Sequence, residues 1–114
     1  MEHTTETIVR HIVSNGVNYT YYRTGEKRKE YYKINNKREG PFKKFNKDGD
    51  LIYICNYTNN RKNGLELSYY EDNHTILESK INYVNGKKNG VCILYDEYGT
   101  IENQYVFLND KMQN

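Results

Sequence analysis

Tyr83-Val84-Asn85-Gly86-Lys87-Lys88-Asn89-Gly90, continued by Val91-Cys92-Ile93-Leu94-Tyr95 and, past Asp96-Glu97-Tyr98, by Gly99-Thr100-Ile101, is the stretch that decides the fold. Asn85-Gly86 lies between two runs rich in β-branched and aromatic residues, and it supplies the positive φ that a two-residue hairpin turn needs. Strand side chains alternate, so the residues one, three and five after Gly90 (Val91, Ile93 and Tyr95) share one face. Leu65-Glu66-Leu67-Ser68-Tyr69 after Gly64 has the same pattern. This apolar face is expected to be the core.

Working outward, the same unit recurs. Gly16, Gly40, Gly64 and Gly90 stand 24, 24 and 26 residues apart, and five residues after each comes an aromatic: Tyr21, Phe45, Tyr69 and Tyr95. A second aromatic row, Tyr32, Tyr57, Tyr83 and Phe107, closes each unit. Between the rows fall turns at Arg23-Thr24-Gly25, Asn46-Lys47-Asp48-Gly49, Glu71-Asp72-Asn73-His74 and Asp96-Glu97-Tyr98-Gly99. Each unit therefore reads strand, turn, strand, turn. The expected fold is all-β: a single elongated, twisted antiparallel meander of tandem hairpins with about nine strands. Residues 1–114 are expected to form one domain, with a leading strand over 6–14 and repeats over 15–38, 39–62, 63–88 and 89–111. No apolar stretch keeps a 3.6 period, which argues against helix. Glu26-Lys27-Arg28-Lys29-Glu30 is nearly all charged, so the first hairpin is expected to be distorted or to lie at an exposed margin.

Composition narrows the function. Only 36% of the chain is apolar, but 13 Tyr and 3 Phe supply buriable area, so the core should be aromatic. A net charge of +2, with basic and acidic residues interleaved, gives no bulk case for nucleic acid or anionic membrane. Met1-Glu2-His3-Thr4-Thr5-Glu6 carries two carboxylates with no apolar run after it, so neither a signal peptide nor a transmembrane segment is expected, and the location reads as cytoplasmic. Cys55 and Cys92 lack ligand spacing and read as buried thiols. His3, His11 and His74 are scattered, and no nucleophile sits beside a base. The expectation is no enzyme, no catalytic residue, no metal and no cofactor.

The Tyr83–Gly90 motif, with Tyr95 and Gly99-Thr100-Ile101, resembles the variant MORN repeat of the bacterial YwqK-type antitoxin family. Tyr57 through Tyr69 and Tyr32 through Phe45 repeat it with losses: Asn60 and Asn36 stand in place of Gly86, and an Asn73-His74 insertion in place of Gly49. The likeness runs over residues 15–111. It implies stacked hairpins and a role as an immunity or antitoxin protein that neutralises a toxin, or as a scaffold, in a bacterial cytosol or, if viral, in host cytoplasm.

Candidate partner-binding residues follow from the alternation of turns between two margins. One margin carries Lys37-Arg38, Arg61-Lys62 and Lys87-Lys88, a basic ladder with steps of about 10 Å, because each unit adds two strand spacings. The opposite margin carries Asp48, Asp50, Glu71, Asp72, Asp96 and Glu97. Tyr22, Tyr31 and Tyr70 each neighbour a row residue, so they are expected on the face opposite the rows, where they could anchor a partner. The leading reading is a module that binds another protein stoichiometrically; the alternative is a binder of lipid head groups, nucleotides or nucleic acid through the basic ladder. Unpaired backbone near Ile8–Val13 and Tyr105–Leu108 offers edges for a homodimer.

Overall fold

The computed structural model describes residues 10–114; residues 6–9 of the expected leading strand lie outside them. The strands are β1 (Arg10–His11), β2 (Gly16–Tyr21), β3 (Lys27–Ile34), β4 (Lys37–Phe45), β5 (Leu51–Thr58), β6 (Arg61–Lys62), β7 (Gly64–Tyr70), β8 (Asn73–Val84), β9 (Lys87–Tyr95), β10 (Ile101–Leu108) and β11 (Lys111–Gln113). They form one antiparallel sheet in chain order, with β6 pairing β5 just ahead of β7. The meander is as expected, with eleven strands instead of about nine because β6 and β11 are short additions, β1 being what is described of the expected leading strand. Its radius of gyration is 15.7 Å, against about 13 Å for a compact domain of this length. No helix among the described residues is long and apolar enough to cross a membrane.

Each unit begins with glycine because the backbone there has positive φ, from 80° at Gly40 to 115° at Gly16. At Gly40 and Gly90 the glycine lies in a bulge: the partners of β3 jump from Phe42 to Glu39, and those of β8 from Cys92 to Lys88. The turns that follow, Asn35-Asn36, Asn59-Asn60, Asn85-Gly86 and Asn109-Asp110, all have two successive positive φ values, the hairpin geometry that matches strand twist. These turns also stack on one another. The N–H of Asn36, Asn60, Gly86 and Asp110 donates to the carbonyl of Ser14, Arg38, Lys62 and Lys88 in the preceding unit, at 2.7 to 2.9 Å.

On the other margin, Asn46 Oδ1 accepts from the N–H of Asp48 (3.0 Å) and Asp50 (2.9 Å), and Asp96 Oδ1 accepts likewise from Tyr98 (2.9 Å) and Thr100 (3.0 Å). The third unit departs from this pattern. Its two-residue insertion is absorbed by register shifts on both sides of Tyr69, and His74 Nδ1 comes within 3.3 Å of Asp50 Oδ2.

The core lies on the face opposite to the one expected. The buried residues of the sheet are Asn18, Thr20, Phe42, Cys55, Glu66 and Cys92. Register places them together: Phe42 opposes Tyr31 and Cys55, Ile81 opposes Glu66 and Cys92, and Tyr105 opposes Cys92. The residue two after each unit glycine is therefore the buried one, and Leu65 and Val91, one after it, are exposed. Among the described residues no second layer covers either face, so hydrophobicity alone does not select the inside. On this crowded face Phe42 is enclosed by the rings of Tyr31 and Tyr57 and by the Arg38 guanidinium at 5.4 Å.

The aromatic row needs a one-residue correction in the first unit. Tyr57 and Tyr83 stand seven residues before the next glycine, Tyr32 eight; with a period of two, that offset changes face. Tyr32 opposes Val17 on the outer face and is exposed. Tyr31 takes the crowded side instead, stacked on Phe42 at 4.8 Å. The charged first hairpin is not distorted beyond the others: its shift at Thr20/Tyr21 matches that at Lys44/Phe45, and Lys27 is paired with Glu30 at 2.7 Å. At the other end, Tyr105–Leu108 is not an edge. The Asn109-Asp110 turn folds β11 back onto Val106, Phe107 and Leu108.

Candidate interaction surfaces

The basic ladder divides between the two faces. Consecutive residues of a strand point opposite ways, so Arg38, Lys62 and Lys88 lie over the crowded face while Lys37, Arg61 and Lys87 stay exposed. Each inward cation covers the ring that closes the following hairpin: Arg38 sits 5.3 Å from Tyr57, Lys62 5.0 Å from Tyr83 and Lys88 5.1 Å from Phe107. This repeated cation–π contact ties unit to unit. Arg38 also faces Tyr31 and Phe42 and donates to Tyr57 Oη at 3.5 Å.

Glu66 is the one buried carboxylate among the described residues. It occupies the slot that Phe42 and Cys92 fill in other units, and it accepts from the Tyr53 hydroxyl and the Lys62 ammonium. Burial and the Glu66 contact push Tyr53 well above the usual tyrosine range. Burial alone would lower Lys62, but Glu66 outweighs it and holds the ammonium above its ordinary value. The sequence signal for this pair was a lone acid in the middle of Leu65-Glu66-Leu67, a position that alternation had assigned to solvent.

Of the three tyrosines singled out from sequence, Tyr22 and Tyr70 occupy equivalent places, six residues after their glycines. The Tyr22 hydroxyl donates to the Phe45 carbonyl at 2.8 Å and the Tyr70 hydroxyl to the Tyr95 carbonyl at 2.6 Å. Each tyrosine thus reaches across to the next unit, where Asn46 and Asp96 hold the equivalent position and cap their own turns. Tyr31 belongs to the Phe42 stack on the crowded face.

Among the described residues the outer face is largely uncovered; at its N-terminal end Lys27 lies over the rings of Tyr19 and Phe45, at 5.5 and 5.4 Å. Tyr32, Ile34, Leu65, Val84, Val91, Ile101, Val106 and Leu108 are exposed on this face; register joins Val17 to Tyr32, Ile54 to Leu67 and Val91 to Val106 across neighbouring strands. The exposed cations border it at one margin, since Lys37 opposes Ile34 and Lys87 opposes Val84.

Burial pushes the thiols of Cys55 and Cys92 above their ordinary value, opposite to the shift that activates a nucleophile. Among the described residues no group of three or more His, Cys, Asp and Glu side chains is placed to hold a metal ion.

No family model matches the chain, and no curated protein matches it. Among solved structures it is similar to two crystal structures of TarM, one of them a mutant from S. aureus in complex with fondaparinux, α-GlcNAc-glycerol and UDP. Both are 17% identical to this chain, with TM-scores of 0.51 for the complex and 0.50 for the other, and the matches cover 91% and 92% of this chain. The chain spans about a fifth of the length of those structures, 20% in each case. At that identity the likeness is one of fold: an open antiparallel sheet of this shape.

Proposed function

We propose that the chain is a non-enzymatic protein-binding module of variant MORN type that neutralises a partner by stoichiometric binding, as a cytoplasmic immunity, antitoxin or anti-defence factor. The largely uncovered outer face carries this reading. A single-layer sheet that leaves Leu65, Val91, Val106 and Leu108 in water, with Lys37, Arg61 and Lys87 along one side, has the anatomy of a docking surface: apolar centre, charged rim. The partner it fits is a protein surface with an apolar centre and an acidic border, since complementary charge steers association and fixes register. The two raised thiols add support, because neither is poised for nucleophilic work.

Co-purification from the native cell tests the reading. The wild-type chain should bring down one protein in equimolar amount, and a Leu65→Asp, Val91→Asp double variant that stays folded should lose it. Lys37→Glu, Arg61→Glu, Lys87→Glu should weaken capture chiefly at low salt. A chain recovered alone under mild conditions, or capture indifferent to both variants, overturns the proposal. The same preparations test a homodimer through the outer edges of β1 or β11 by light scattering.

A further inference from the structure

We propose that the crowded face holds a second, independent site at its N-terminal end, which takes a phosphate dianion, free or as a phosphomonoester. A cleft of about 470 Å³ opens there. Arg10, Arg28, Lys29 and Arg38 bring four cationic side chains to its wall, and among the described residues no carboxylate lines it; Tyr31 and Phe42 form an aromatic floor. Arg28 and Lys29 have further partners within the fold, so the site is defined by Arg10, Thr20 and Arg38.

Thr20 is the observation that points to a ligand. It is 8% exposed, it lines the cleft, and its Oγ1 is buried with no hydrogen-bond partner among the described residues. A buried hydroxyl left unpaired is unfavourable, and native structures rarely keep one without a use. Its surroundings explain which use. Register sets Arg10 opposite Thr20, so the orphaned hydroxyl has a cation as its cross-strand neighbour. Arg38 completes the set: its guanidinium is oriented by the rings of Tyr31, Phe42 and Tyr57 and makes one long hydrogen bond, to Tyr57 Oη at 3.5 Å. A planar donor fork held in place suits phosphate oxygens. Thr20 would donate one hydrogen bond, and the cleft is roomier than inorganic phosphate requires, within the usual range for small-molecule sites.

The test is calorimetric titration of the full chain with inorganic phosphate and with glycerol 3-phosphate, beside sedimentation with phosphatidylcholine vesicles containing or lacking phosphatidic acid. Saturable binding of the soluble phosphates assigns a free ligand, and binding confined to phosphatidic acid vesicles assigns a lipid head group; either supports the site. Thr20→Val should weaken binding about tenfold, the loss of one hydrogen bond to a charged group, without lowering the melting temperature of the ligand-free protein. Arg10→Gln, at an exposed position, should weaken it in the same direction. Absence of saturable binding in every arm, or binding that both variants leave unchanged, overturns the proposal. Because neither variant touches the outer face, partner capture should persist in both, which separates this site from the docking surface.

Discussion

Replacing Phe42 by Ala should destabilise the protein far more than replacing Leu65, although both are large apolar residues on the first strands of successive units. Phe42 is 6% exposed and is surrounded by three rings and a cation: Tyr31 at 4.8 Å, Tyr57 at 5.8 Å, Tyr53 edge-on at 6.5 Å and the Arg38 guanidinium at 5.4 Å. Truncating a buried phenylalanine costs about 3–5 kcal/mol, and each aromatic pair adds about 0.5–1.5 kcal/mol beyond area. The open sheet lets water fill the vacated space, which favours the lower end, about 3 kcal/mol. Leu65 is 48% exposed; half of its ordinary burial is missing, and Leu65→Ala should cost less than about 1 kcal/mol. Urea unfolding at constant m-value measures both, provided the transition stays two-state in this repeat array. A Leu65→Ala cost equal to that of Phe42→Ala would refute the assignment of faces.

Other perturbations have defined signs. Tyr22→Phe removes the hydroxyl that binds the Phe45 carbonyl and should cost about 1 kcal/mol in thermal unfolding; Tyr70→Phe should act in the same direction. Glu66→Ala strands Lys62 and should cost about 2 kcal/mol, below the usual figure for a buried pair because the ammonium is partly solvated, whereas a Lys62→Met, Glu66→Leu double variant should be nearly neutral in urea unfolding. Raising pH should destabilise the protein progressively. Cys55, Cys92, Tyr53 and Lys62 are all held above their ordinary values of 9.0, 10.0 and 10.5, so between the unfolded and folded values the unfolded chain binds fewer protons and gains. Their stabilising effect should be intact below pH 9 and lost above it, as melts at stepped pH would record.

Much of this architecture is legible in the sequence, and the misreadings share one cause. Glycine spacing and the Asn-rich turns specify hairpins in chain order, because positive φ and short loops leave few alternatives. Which face is inside is a different matter. Alternation finds two faces, and the more aliphatic one is usually buried; here Leu65, Leu67, Val91 and Ile93 form that face, but among the described residues no second layer covers it. The crowded face instead receives Asn18, Phe42, Glu66 and Cys92, a mixed set without a hydrophobic signature, screened by Arg38, Lys62 and Lys88 lying on rings. Tyr32 was misplaced because an aromatic one residue out of step looks like a row member until register is known. The hydroxyl contacts of Tyr22 and Tyr70 depend on reach between units, which spacing within a unit does not reveal. Likewise, no motif marks Thr20; its importance lies in a buried hydroxyl with no partner among the described residues.

The division into a crowded face and a largely uncovered one is tested most directly by thiol labelling of the native protein. Cys55 and Cys92, buried and held as thiols, should react only as fast as the protein opens, while a cysteine introduced by Leu65→Cys should label at about the rate of a free thiol. Native cysteines that label as quickly as the introduced one, or a position 65 thiol that stays protected, would contradict the account.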